Sequence, residues 1–136
     1  MKNTKLLIID DNPAILNSLK LLMKTEYESV KTISNPNQLY SELEKSEPDV
    51  ILLDMNFRAG VNTGNEGLYW LREIKKKAPM VEVVMITAYG DIDLAVRSLK
   101  EGAADFVVKP WNNEKLKATL DAAWRLRKSN LEISHL

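Results

Sequence analysis

Five short apolar runs punctuate the chain, at residues 6–9, 30–33, 50–53, 81–86 and 106–108. Those at 6–9, 50–53 and 81–86 are nearly unbroken Val, Ile, Leu and Met, the pattern of strands covered on both faces, as in a parallel sheet. The second differs: Ser29-Val30-Lys31-Thr32-Ile33 alternates polar and apolar, which predicts an edge strand. Helical spacing fills the gaps. Asn12-Pro13 opens the first helix, with Asn12 or Asp11 as cap and Pro13 at the first helical position, and Ile15, Leu19, Leu22 and Met23 form its apolar stripe. Asn35-Pro36 opens the second, with Leu39 and Leu43 inward, and Leu68, Leu71 and Ile74 mark the third. The fourth starts near Asp91, runs through Ile92, Ala95, Val96 and Leu99, and stops at Gly102; the fifth starts near Asn112 and uses Leu116, Leu120, Ala123 and Trp124. The order βαβαβαβαβα predicts an α/β fold, a doubly wound five-stranded parallel sheet with right-handed crossovers.

Composition narrows this. A chain of 136 residues suits one domain, and 45% hydrophobic residues supply a core. The 19 basic and 19 acidic residues balance, so charge gives no argument for direct nucleic-acid or membrane binding. There is no cysteine, which excludes disulfides and thiolate metal sites and fits a cytoplasmic protein. No stretch approaches the roughly 20 apolar residues of a membrane span. The run at 6–9 is too short for a signal-peptide core and ends in Asp10-Asp11. The irregular segment 55–66 carries Gly60, Asn62, Gly64 and Asn65, and the polar tail 128–136 reads either as more of the fifth helix or as a frayed end.

In an open parallel sheet, ligands bind beyond the carboxyl ends of the strands. The residues standing there are Asp10 and Asp11, Asp54, Thr87 and Lys109, all converging on one sheet edge. Any one of them has an ordinary structural reading: a helix cap, a strand end, a loop pair. Together they form a specific chemical set. Three neighbouring carboxylates repel one another and invite a hard divalent cation such as Mg²⁺. A carboxylate can attack phosphorus to form an aspartyl phosphate. Lys109 supplies a point charge and Thr87 a hydroxyl donor for phosphoryl oxygens.

These residues resemble the receiver domain of two-component response regulators over about residues 4–126. Ile8-Ile9-Asp10-Asp11-Asn12 is similar to that family's acidic pair, Val50-Ile51-Leu52-Leu53-Asp54 to its phosphoacceptor strand, Met85-Ile86-Thr87-Ala88-Tyr89-Gly90 to its switch-threonine segment, and residues 102–110 to its last strand with Lys109-Pro110. The resemblance implies a flavodoxin-like sheet in the order 2-1-3-4-5. It implies phosphorylation of Asp54 by a sensor histidine kinase or phosphotransfer protein. It also implies Mg²⁺ held by Asp11, Asp54 and the backbone carbonyl of Asn56, with Asp10 acting largely through water. Thr87 and Lys109 would hold the phosphoryl oxygens, and Phe106 would be the aromatic switch residue, although an ordinary core Phe fits the same position. The protein would be a signalling switch rather than an enzyme, working through the surface of the fourth helix, fifth strand and fifth helix, where a homodimer is also plausible.

The segments around Thr87 and Asp105-Phe106 look most like receivers of the NtrC class, which control sigma-54-dependent transcription through an ATPase and a DNA-binding domain. Neither of those output domains has a motif in this chain, so residues 1–127 read as the receiver and 128–136 as a helical extension or linker. One departure stands beside the site: where the family usually has Pro, Arg58 follows Asp54 by four residues, and Gly67 comes about five residues late, so 58–66 reads as an insertion. Two other readings remain open at this level. One is a pseudo-receiver that binds a partner without phosphorylation. The other is an aspartate-nucleophile phosphatase, which usually has a second Asp where Asn56 stands here.

Overall fold

The structure, a computed structural model, describes residues 2–55 and 66–134. Strands β1 (Lys2–Ile9), β2 (Tyr27–Ile33), β3 (Val50–Asp54), β4 (Glu82–Ala88) and β5 (Asp105–Lys109) alternate with helices α1 (Pro13–Met23), α2 (Leu39–Ser46), α3 (Glu66–Lys77), α4 (Ile92–Lys100) and α5 (Asn113–Ser134). All strand pairs are parallel and the order is β2-β1-β3-β4-β5. The alternating strand, β2, is indeed at an edge.

Successive side chains of a strand point to opposite faces, so each apolar run divides between two cores. Leu7, Ile9, Ile51, Leu53, Val83 and Met85 pack beneath α2, α3 and α4. Leu6, Ile8, Val50, Leu52, Val84 and Ile86 pack beneath α1 and α5 with Leu16, Leu19, Leu116 and Leu120. This two-sided burial is why polar residues are scarce in the middle of β1, β3 and β4. Each fully buried Leu or Ile contributes about 2 kcal/mol of transfer free energy.

The helix starts follow the expected chemistry. Asn12 caps α1, its side chain accepting from the backbone N–H groups of Ala14 and Ile15. Asn35 and Pro36 open a 3-10 turn (Pro36–Gln38) before α2. Asn112 caps α5 by accepting from Glu114 and Lys115. Gly102, with φ +111°, provides the left-handed exit from α4.

Two details differ from the sequence reading, and the polar tail takes one of its two expected forms. In α1 the inner stripe is Leu16, Leu19 and Met23, with Ile15 and Leu22 only half-buried at its margin. In α4 the buried residues are Ala95 and Ser98, whereas Ile92, Val96 and Leu99 are exposed. The polar tail continues α5 without a break through Ser134. It is fastened by Arg127, which donates to Asp49 Oδ1 and to the Met80 carbonyl, both at 2.7 Å, and by Asn130, which donates to Glu82 at 3.4 Å.

Candidate functional site

Parallel pairing aligns the carboxyl ends of β1, β3, β4 and β5. In register, Asp54 lies beside Ile86, and Lys109 beside Ala88. Asp10 directly follows β1, where its own N–H donates to the Ile33 carbonyl and its Oδ1 accepts from the N–H of Asn12 at 2.9 Å. The Met55 N–H donates to the Ile86 carbonyl at 2.7 Å, which anchors the chain just beyond Asp54.

Asp10, Asp11 and Asp54 bring one carboxylate oxygen each within 4.8 Å of one another. Asp10 and Asp54 are buried and Asp11 is exposed, so the trio opens to solvent on one side. Lys109 reaches in with Nζ 3.4 Å from Asp54 Oδ1 and 3.9 Å from Asp10 Oδ2. Burial, followed by repulsion from the Asp54 charge, pushes the Asp10 carboxyl up to about 6; the Asn12 N–H and Lys109 offset only part of this. Asp10 Oδ2 is buried and accepts no hydrogen bond. A buried oxygen of this kind, among carboxylates that outnumber the nearby ammonium, has the donor chemistry of a Mg²⁺ site.

Thr87 is fully buried, and its hydroxyl lies 3.3 Å from the carbonyls of both Ala88 and Asp91. It is thus tied to its own loop, one residue beyond the strand position beside Asp54. Phe106 is half-buried against the core beneath α3 and α4. The peptide bond between Lys109 and Pro110 is cis. The structure therefore gathers Asp10, Asp11, Asp54 and Lys109 into one cluster, with Thr87 and Phe106 on the adjoining strands. Asn56 and residues 58–65 of the insertion lie outside the described residues. Asn12, legible in the sequence as a helix cap, also orients Asp10 through its N–H, a role that residue identity does not reveal. The Asp91 carbonyl that holds Thr87 is likewise invisible in the sequence, since a backbone acceptor leaves no mark in residue identity.

Comparison with known proteins gives a consistent picture. The family model of the response regulator receiver domain matches residues 6–121. The response regulator protein PilR of Pseudomonas aeruginosa is 34% identical over 97% of this chain and 28% of its own length. The nitrogen assimilation regulatory protein NtrX of Azorhizobium caulinodans is 33% identical over 96% of this chain and 29% of its own. The chain thus spans under a third of the length of these two relatives. Among solved structures, the N-terminal signal receiver domain of a two-component response regulator from Bacteroides fragilis superposes with a TM-score of 0.83 at 50% identity, covering 90% of this chain and 98% of that one. NtrX from Brucella abortus superposes with a TM-score of 0.88 at 27% identity, covering 98% of this chain and 29% of that one.

Proposed function

The chain belongs to the response-regulator receiver family, and from that premise we propose that Asp54 is its phosphoacceptor, charged by a phosphohistidine on a sensor histidine kinase or phosphotransfer protein. The observation that carries this reading is the buried Asp10–Asp54 pair with Lys109 Nζ 3.4 Å from the Asp54 oxygen, at the open end of the sheet.

An Asp54 carboxylate oxygen attacks the phosphorus as the bond to the donor imidazole nitrogen breaks and the electron pair stays on that nitrogen. Lys109 shifts from its two carboxylates toward a phosphoryl oxygen. Asp10, Asp11 and Asp54, with the backbone carbonyl of Asn56, are the groups to hold Mg²⁺, which when bound offsets carboxylate repulsion and the charge of the phosphoryl oxygens. Thr87 exchanges its bonds to the Ala88 and Asp91 carbonyls for one to a phosphoryl oxygen, and Phe106 turns inward behind it. Hydrolysis of the aspartyl phosphate resets the switch.

The output surface in this reading is α4, β5 and α5, where Ile92, Val96 and Leu99 are already exposed. Those positions suit an output domain or a second copy of the chain. Residues 1–127 act as the receiver and 128–136 lead toward an output unit. Kinship with NtrX and PilR supports an ATPase with a DNA-binding domain, controlling sigma-54-dependent transcription in the cytoplasm. Among the described residues, no helix is long and apolar enough to cross a membrane.

The test is intact mass after incubation with acetyl phosphate. One added phosphoryl group is expected in the presence of Mg²⁺, and none with chelator or in Asp54→Asn. A folded, Mg²⁺-binding protein that neither gains mass nor forms a beryllofluoride complex would instead be a phosphorylation-independent binding module.

A further inference from the structure

Helix α4 is held very differently at its two ends. Its footprint on the sheet is small: only Ala95 and Ser98 are fully buried, with Leu94 partly so, while Ile92, Val96 and Leu99 face solvent. Small residues in contact with a sheet let a helix change angle without dislodging large side chains from a close-packed core.

At the N-terminal end, neither α4 nor the 3-10 turn before it (Tyr89–Asp91) has a side-chain cap. Tyr89 is 82% exposed. Thr87 ties this segment down from outside: its hydroxyl lies 3.3 Å from the Asp91 carbonyl and 3.3 Å from the carbonyl of Ala88 just before the turn. The C-terminal end is fastened to α3. Arg72 donates from Nε and from a terminal nitrogen to Glu101 Oε1, at 2.9 and 2.7 Å. The second Glu101 oxygen is buried and accepts no hydrogen bond, so Arg72 is what holds that carboxylate. Behind it, Gly102 turns the chain with φ +111° against the side chain of Lys75, which is itself pinned by donating to the Pro79 and Val81 carbonyls at 2.9 and 2.7 Å. The backbone bond from Ala103 N–H to the Ser98 carbonyl at 3.0 Å closes the exit turn.

We propose that the Arg72–Glu101 pair is the fixed end of a hinge, so that α4 swings about its C-terminal turn when Thr87 leaves the Asp91 carbonyl, rather than sliding as a rigid rod. This rests on the reading above that Thr87 moves to the phosphoryl group, and it adds to that reading a direction of motion and a positioning residue on α3. Exposure of the α4 face is then graded along the helix, largest near Ile92 and least near Leu99.

The chain has no cysteine, so spin labels can be placed on a clean background. Lys20→Cys on α1 is paired in turn with Asp93→Cys and Lys100→Cys, at the two ends of α4, and distances are read by pulsed electron resonance with and without Mg²⁺ and beryllofluoride. The hinge predicts that the 20/93 distance shifts while 20/100 stays within its original distribution. In Arg72→Ala both distances should shift, and the charge-swapped pair Arg72→Glu with Glu101→Arg should restore the one-ended response. Equal shifts at both ends with Arg72 intact, or an Arg72→Ala protein that responds like the unaltered one, overturns the hinge. Intact mass after acetyl phosphate treatment separates this failure from a deeper one. A phosphorylated protein with equal shifts refutes the hinge alone, and absence of both adduct and shift refutes the switch itself and the hinge with it.

Discussion

Replacing Asp10 with Asn should stabilise the metal-free protein. Asp10 is fully buried, and its carboxyl is raised from 3.8 to about 6 by desolvation first and by the Asp54 charge second. A native state that holds this proton more tightly than the unfolded chain is favoured below about pH 4, and that advantage is lost as pH rises through about 6. Above pH 7 the folded protein carries the full penalty of the buried charge, about 3 kcal/mol at ~1.4 kcal/mol per pH unit. Asn retains an oxygen to accept from the Asn12 N–H, but Lys109 loses one of its two carboxylates. The net gain should therefore be nearer about 2 kcal/mol at pH 8. Urea unfolding with chelator at pH 8 and pH 4 measures it: Asp10→Asn should be the more stable at pH 8, with the gap closing toward pH 4. Adding Mg²⁺ should narrow or reverse the gap, since a ligand that binds only the folded state stabilises it. If the variant is no more stable than the unaltered protein at pH 8, or if the gap is the same at both pH values, buried charge at Asp10 is not the origin of the effect.

Other substitutions probe the scaffold and the switch. Gly67→Ala would set its Cβ 2.5 Å from the Met55 carbonyl oxygen and 2.7 Å from the Met55 Cα, so the urea midpoint should fall by the equivalent of about 1–3 kcal/mol, the usual penalty of overpacking. Arg127→Ala removes two 2.7 Å hydrogen bonds at a mostly buried position and should destabilise by about 1.5–3 kcal/mol. It should also speed amide exchange in residues 128–134 while leaving β1 and β3 protected. Thr87→Ala should still accept a phosphoryl group, on the order of tenfold more slowly, the equivalent of one lost hydrogen bond. It should no longer change the environment of Phe106 and α4 on phosphorylation, as read from side-chain NMR shifts.

How much of this was legible beforehand depends on the kind of interaction. The runs at 6–9 and 50–53 end where β1 and β3 emerge from between two layers of helices, so Asp10 and Asp54 could be placed at the sheet edge from hydrophobic pattern alone. Alternation marked β2 as an edge strand for the same reason. Helical spacing was less informative for α4. It identifies an apolar stripe, Ile92, Val96 and Leu99, but not whether that stripe or the small-residue face with Ala95 and Ser98 meets the sheet, and the small face does. The reach of α5 stayed open between a longer helix and a frayed end because its anchors are polar and distant in sequence: Arg127 to Asp49 and Asn130 to Glu82 leave no periodic trace. Similarly, β1 extends back to Lys2 through polar residues whose place is set by pairing with β2 across an irregular register, not by burial of an apolar run.

Asp54, and no neighbouring carboxylate, is proposed to carry the phosphoryl group. Borohydride reduces an aspartyl phosphate to homoserine, which peptide mass spectrometry then locates in the chain. After treatment with acetyl phosphate and Mg²⁺, homoserine is expected at position 54 alone. Homoserine at position 10 or 11, or a phosphorylated protein with none at 54, would contradict it.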